Sequence, residues 1–429
     1  MRLVKIGVAA VSVKVGDFSE NAARLLAVIG EARARGVHLL VTPELGISGY
    51  SLEDRIHWPD IARHSWATLA ELAKACTDIA VFVGLPVRVD ALNYNAAALL
   101  SGGKVRGLIL KRHLPTYSIF YEGRNWCAWP GGVTEINGVP TGDLVFRLPF
   151  GQVSAEICED LWSTQSPAWS RVQAGAEIIC NLSASPFTPR KNEDRRRQIS
   201  GAASTLKAVY AYANLLGCDN SRLVFDGGGF VVTPDAVVCE GRILSKKAWT
   251  LATGVVDLDD VTRSRTENTT WRLGSASAQA KERGIQVVDA ADAVFRPAPL
   301  REFAERLPKN LYFPDLRTRA GRQYPYLDEL FDALVLGLRD YFEKVGVFDR
   351  FLVALSGGRD SALCLLMAVE AAKALREGSR PHRYAERVSS IYLPNPAYSS
   401  RATEDAARGL AKELGVPFQV VPIDAEVTE

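Results

Sequence analysis

The sequence predicts an α/β protein built of two units, and three observations carry that prediction. Apolar strand-like runs alternate with helical patterns through most of the 429 residues. Between 261 and 325 the alternation lapses into a charged, polar stretch with many Arg and Pro residues. From 326 it resumes, with helical runs between the strands. We expect one α/β domain over 1–260, a connector with short helices over 261–325, and a second α/β domain over 326–429.

Residues 3–11 read as a strand, and 19–35 as a helix opened by Ser19-Glu20-Asn21 and closed by Gly36. Strands are expected at 38–43 and 79–85, with a helix over 65–77 between them. Gly102-Gly103 separates β-rich runs at 94–101 and 104–111, a hairpin signal. Further strands fall near 143–149, 152–157 and 176–182. A long helix over 192–216 follows, then strands near 222–232 and 236–240. The second unit reads as helix 327–345, strand 350–355, helix 361–375, strand 388–393, helix 399–414 and strand 417–422. Strands joined by helical crossovers point to a parallel, doubly wound sheet. Such a domain normally has about five strands, so the chain reads as holding the first part of one.

Hydrophobic content of 47% and charged content of 23% describe an ordinary globular protein. A net charge of +2 gives no electrostatic case for nucleic acid. The seven cysteines are scattered and form no CxxC pair, which suggests reduced thiols in a cytoplasmic protein. The five histidines form no HxxxH or HxH pair, so no histidine metal site is expected. The N-terminus runs straight into an apolar strand without signal-peptide architecture. No apolar stretch reaches about 18 residues, so no membrane span is expected.

Two places carry chemistry. In the second unit, Phe351-Leu352-Val353-Ala354-Leu355 leads into Ser356-Gly357-Gly358-Arg359-Asp360-Ser361 and then a helical run. A strand, a Ser-Gly-Gly turn and a helix N-terminus make a phosphate cradle, because glycines admit an anion close to free backbone N–H groups. The spacing lacks the Lys of a Walker loop. In the first unit, Cys158 stands just past the strand 152–157, where a nucleophile would be mounted. Alone, such a cysteine is more often a small buried apolar residue. Glu44 follows the strand 38–43 and Lys111 ends the strand 104–111. Three strand ends in one α/β domain can converge on one rim. A carboxylate there can take the thiol proton, and an ammonium lowers the thiol pKa and supports an oxyanion.

The blocks Pro43-Glu44-Leu45 to Ser48-Gly49-Tyr50, Lys111 to Leu114-Pro115, and Glu156-Ile157-Cys158-Glu159-Asp160-Leu161-Trp162 resemble those of the nitrilase superfamily of carbon–nitrogen hydrolases. The resemblance implies an α-β-β-α sandwich with Glu44 as general base, Lys111 as oxyanion cation and Cys158 as nucleophile. It also implies that Glu122 orients Lys111 or borders the amide pocket, whose other residues would be Tyr117 and Ser185; apart from the resemblance, Lys191 or Arg190 would be the cation for a substrate carboxylate. Read without the resemblance, Glu122 is a solvated loop carboxylate.

The Ser356–Ser361 loop resembles that of the ATP pyrophosphatases, which implies a Rossmann-like domain with Ser356, Gly357, Gly358, Asp360 and Ser361 on the ATP phosphates. Mg2+ would act through Asp360. The two halves together resemble the family of glutamine-dependent NAD synthetases, supported by Leu223–Phe230, Gly337–Tyr341 and Tyr398-Ser399-Ser400. That implies glutamine, ATP and nicotinic acid adenine dinucleotide as substrates, an ammonia tunnel and a homo-oligomer. Two departures stand out: Arg359 replaces a usual aliphatic residue, and the segment before Tyr398 is one residue longer than usual.

Two other readings stay open here. One is a stand-alone carbon–nitrogen hydrolase with a truncated or vestigial nucleotide-binding tail. The other is a non-catalytic nucleotide-binding or assembly module, which the intact Glu44, Lys111 and Cys158 blocks disfavour.

Overall fold

The computed structural model describes residues 1–219, 223–274, 284–304, 325–375, 386–395 and 399–423. The chain divides into two compact units, Met1–Gln323 and Tyr324–Glu429.

In the first unit, eight of the described strands form one sheet. Their spatial order is Trp249–Asp257, Leu3–Val11, Leu39–Val41, Ala80–Val89, Leu92–Ser101, Lys104–Leu110, Val139–Gly142 and Val133–Ile136. Seven form a second sheet, in the order Val237–Glu240, Gly229–Val232, Val209–Asn214, Ile178–Ser183, Gly151–Ile157, Leu144–Leu148 and Gln286–Asp289. Val4, Ile6 and Val8 of the first sheet pack with Ala155, Ile157 and Leu182 of the second in one core. The alternate residues Ala9 and Val11 turn the other way, onto Leu25 and Val28 of the helix Phe18–Ala34. On the far side, Ile179, Tyr210 and Tyr212 meet Ile199 and Ala203 of the helix Lys191–Leu206. The result is the expected α-β-β-α sandwich. Burial on both faces explains why the strands read as nearly unbroken apolar runs.

Local signals set the helix starts. Asp17 caps the first helix by accepting the Glu20 N–H at 3.0 Å. The helix Pro59–Ala75 opens on the residue type that lacks an N–H where none is needed.

Two expectations need correction. The helix expected over 192–216 stops at Leu206, Lys207 turns to φ +48°, and Val209–Asn214 becomes a strand parallel to Ile178–Ser183. Two alanines in this run suit a helix, but Val209 and Ala211 fill the core between the sheets while Tyr210 and Tyr212 fill the outer layer. Packing on both faces outweighs local propensity. The segment read as a connector also carries fold. Leu258–Glu267 is helical, and Gln286–Asp289 pairs in parallel with Leu144–Leu148.

The second unit holds three parallel strands, Phe351–Ala354, Val388–Tyr392 and Phe418–Val420, in that spatial order among the described residues. The helices Arg359–Lys373 and Arg401–Glu413 make the crossovers. No helix among the described residues is long and apolar enough to cross a membrane.

Candidate active site

Glu44 lies just past the strand Leu39–Val41 and is fully buried. Its loop is sewn to the next strand: Thr42 N–H donates to Phe82 O, and Ile47 N–H to Gly84 O, each at 3.1 Å. That approach requires glycine at 84, where a Cβ would stand 2.3 Å from Leu45 N and 2.6 Å from Pro43 O. The Glu44 carboxylate is bonded at both oxygens. Oε1 accepts from Asn95 Nδ2 and from Lys111 Nζ, both at 2.7 Å, and Oε2 accepts from the Ala184 N–H at 2.8 Å.

Lys111 follows the strand Lys104–Leu110 and is fully buried. Its ammonium also donates to Glu122 Oε1 at 2.8 Å and stands 2.7 Å from Oε2. Tyr50 donates its hydroxyl to the same Glu122 oxygen at 2.7 Å. Burial works against the ammonium, but Glu122 and Glu44 outweigh it and keep Lys111 protonated. Two carboxylates share one cation, so one negative charge is in excess. Glu122 carries the strain: burial and the Glu44 charge push its pKa up to about 7, against the pull of Lys111.

Cys158 opens a short 3-10 turn, Cys158–Leu161, directly after the strand Gly151–Ile157. Its φ is +46°, the sharp elbow that aims a side chain off a strand end. We expected the neighbouring ammonium to lower the thiol pKa. Lys111 does pull it down, but burial, with Glu44 and Glu122 adding to it, pushes the thiol well above the ordinary range. A thiol held this way gives up its proton less readily than a free one.

The expected amide-pocket residues do not share one environment. Tyr117 is 56% exposed and donates to Glu159 Oε1 and Oε2 at 2.9 and 3.0 Å, beside Cys158 in sequence. Lys191 Nζ lies 4.3 Å above the Trp162 ring, at the far end of the cysteine block. Ser185 is buried, and its hydroxyl accepts from the Arg195 guanidinium at 3.1 and 3.3 Å. Arg195 is itself paired to Asp226 at 2.6 Å. Glu122 and Tyr50 line a cavity of about 530 Å3 together with Ile119, Phe120, Trp126 and Leu223.

Sequence reasoning gave no role to Asn95, Tyr50 or Asp160. Asn95 had a signal, being a polar residue that opens the apolar run Ala96–Leu100.

In the second unit the loop closes on itself. Ser356 Oγ and Ser361 Oγ are 3.0 Å apart, and the Ser356 N–H donates to Ser361 Oγ at 3.1 Å. Gly357 has φ +79° and lies so close to Thr403 that a Cβ would fall 2.4 Å from its carbonyl oxygen. The helix starts at Arg359 rather than 361, so Asp360 and Ser361 stand in its first turn. Gly358, Arg359 and Asp360 are exposed. Of the supporting segment, Ser399 and Ser400 are described, and Tyr398 lies outside the described residues.

The first unit thus combines a buried Glu–Lys–Glu cluster with a cysteine on an elbow at a strand end, in an α-β-β-α sandwich. The family model for carbon–nitrogen hydrolase matches residues 5–266, and the chain belongs to that family. A second model, NAD synthase, matches residues 330–429. Relatives aligned over nearly the whole chain are glutamine-dependent NAD(+) synthetases. That of Aquifex aeolicus is 30% identical over 425 residues, with 98% of this chain and 66% of the relative covered. That of Thermotoga maritima is 29% identical, with 99% and 66% covered. The crystal structure of the Cytophaga hutchinsonii glutamine-dependent NAD(+) synthetase matches with a TM-score of 0.76 at 25% identity, over 99% of this chain and 66% of that one. The Acinetobacter baumannii enzyme in complex with ADP gives a TM-score of 0.72 at 25% identity, with the same coverage. The chain thus spans 66% of the length of these relatives.

Proposed function

We propose that this chain carries the glutamine-hydrolysing half and the nucleotide-loop portion of a glutamine-dependent NAD synthetase. The observation that carries the reading is the buried Lys111 ammonium held between Glu44 and Glu122, in the same sandwich as the strand-end elbow of Cys158.

In this reading Glu44 removes the Cys158 proton as sulfur attacks the glutamine side-chain carbonyl carbon. The C=O electrons move to oxygen, and Lys111 with a backbone N–H stabilises the oxyanion. The oxyanion collapses, the C–N bond breaks, and Glu44 returns its proton to the leaving nitrogen, releasing ammonia. Water then attacks the thioester, Glu44 takes one of its protons, and the C–S bond breaks. That proton returns to sulfur, leaving glutamate and the resting thiol. A raised thiol pKa suits a mechanism in which a base acts during attack. Tyr117, Glu122, Ser185 and Lys191 remain the proposed amide-pocket residues. The positions of Tyr117 and Lys191 against the Cys158–Trp162 block support this.

Ser356, Gly357, Gly358, Asp360 and Ser361 would hold the ATP phosphates, using free N–H groups at a helix start. The likeness to a relative solved with ADP supports a nucleotide there. Among the described residues no group of three or more His, Cys, Asp or Glu side chains is placed to hold a metal ion. Mg2+ would travel with the phosphates and neutralise their charge, with the exposed Asp360 its carboxylate partner in the loop. Ammonia transfer to adenylated nicotinic acid adenine dinucleotide, cytoplasmic location and homo-oligomerisation belong to the same proposal.

Measuring ammonia released from glutamine tests the first half. Wild-type protein is expected to turn over, and Cys158→Ala to be inactive. Undiminished hydrolysis by Cys158→Ala would remove Cys158 as the nucleophile.

A further inference from the structure

The nucleophile and the ammonium belong to different sheets. Main-chain hydrogen bonds run within a sheet, not between two sheets packed face to face. Some other contact must set the separation of Cys158 and Lys111 at the rim.

Asp160 makes that contact. Its side chain is fully buried. Oδ2 accepts the N–H of Ile157, the residue before the nucleophile, at 3.0 Å. Oδ1 accepts the N–H groups of Arg112 at 3.2 Å and His113 at 2.9 Å, the two residues after Lys111. The Lys111 backbone is already tied on its own side, its N–H to Asn95 O at 3.0 Å and its carbonyl to the Trp129 N–H at 2.9 Å. One carboxylate therefore joins two segments 47 and 48 residues apart in sequence. It also braces an elbow whose left-handed cysteine persists only where the surroundings over-determine it.

We propose that Asp160 is a positioning residue that sets the distance from the Cys158 sulfur to the Lys111 ammonium, so that the charge formed on attack meets a cation already in place. It touches neither substrate nor the reacting atoms and acts through the backbone on both sides. The inference rests on the reading of Cys158 as the nucleophile. A bond that only stabilised the fold would alter melting, whereas a positioning bond alters the reactivity of the sulfur.

The test is Asp160→Asn, which keeps the size but sets an NH2 group against one of the backbone donors. Three quantities are read: thermal melting, Cys158 alkylation by iodoacetamide across pH followed by intact mass, and glutamine hydrolysis. The expected result is a folded protein whose alkylation profile moves to higher pH. Its kcat falls roughly tenfold or more, while KM stays within about threefold. His113→Pro removes one donor and leaves Asp160 in place, and it is expected to shift the profile in the same direction.

A folded Asp160→Asn with the wild-type alkylation profile and kcat overturns the proposal. So does failure of both variants to fold, which would make the contact a folding element alone. If wild-type protein hydrolyses no glutamine yet alkylation responds to Asp160→Asn, the functional reading fails and the positioning role stands.

Discussion

Glu44 Oε2 accepts the Ala184 N–H at 2.8 Å, although the two residues follow strands of different sheets and lie 140 positions apart. With its other oxygen on Lys111 and Asn95, the proposed base is held in one orientation before any substrate arrives. Preorganisation of this kind is what lets a buried carboxylate act without rearrangement in the transition state.

Lys111→Met should leave Glu44 and Glu122 buried without their cation. Breaking one partner from such a cluster typically costs about 3–5 kcal/mol. Urea unfolding at pH 8 is expected to show a loss in that range, and glutamine hydrolysis to vanish. Wild-type stability in the variant would mean that the ammonium is not the neutralising charge.

Glu122 predicts a pH dependence. Its folded pKa is raised from 4.5 to about 7, chiefly by burial. The folded state therefore binds the proton more tightly than the unfolded chain. The stabilisation it contributes is present below pH 4.5 and declines as pH rises through about 7. The difference in unfolding free energy between wild type and Glu122→Gln, measured from pH 4 to 8, should fall across that window. A flat difference would show that Glu122 does not titrate there.

Gly84→Ala places a methyl 2.3 Å from Leu45 N, against backbone that has nowhere to yield except by moving the Glu44 loop. Overpacking of this kind costs about 1–3 kcal/mol. Hydrolysis is expected to fall more steeply than stability, because the displaced group is the proposed base. An active Gly84→Ala protein would indicate that the loop shifts without moving the carboxylate.

Asp360→Ala should abolish ATP binding, followed by calorimetry with Mg-ATP, and leave glutamine hydrolysis measurable. Gly357→Ala should act in the same way, since φ +79° and the Thr403 carbonyl both oppose a side chain. Retained ATP affinity in both would place the nucleotide elsewhere.

Element types were legible in the sequence wherever periodicity was strong, such as the strand Leu3–Val11 and the hairpin at Gly102-Gly103. The sequence also placed Glu44, Lys111 and Cys158 at or just past the ends of apolar strand runs, and the resemblance of their blocks to those of the carbon–nitrogen hydrolases singled them out. Those signals are local: side chains alternate every two residues, and a strand end is visible within about ten. Tertiary structure alone decided that Val209–Asn214 is a strand and that Gln286–Asp289 extends a sheet, since neighbouring strands supply what local propensity lacks. It decided that Glu122 shares the Lys111 ammonium with Glu44, and that burial pushes the Cys158 thiol pKa up. The partners of Glu44 lie 51, 67 and 140 residues away: Asn95 and Lys111 reach it only once the strands of the first sheet assemble, and Ala184 only once the second sheet stacks on the first. Burial then sets the charges, and burial belongs to the assembled sandwich rather than to any segment of it.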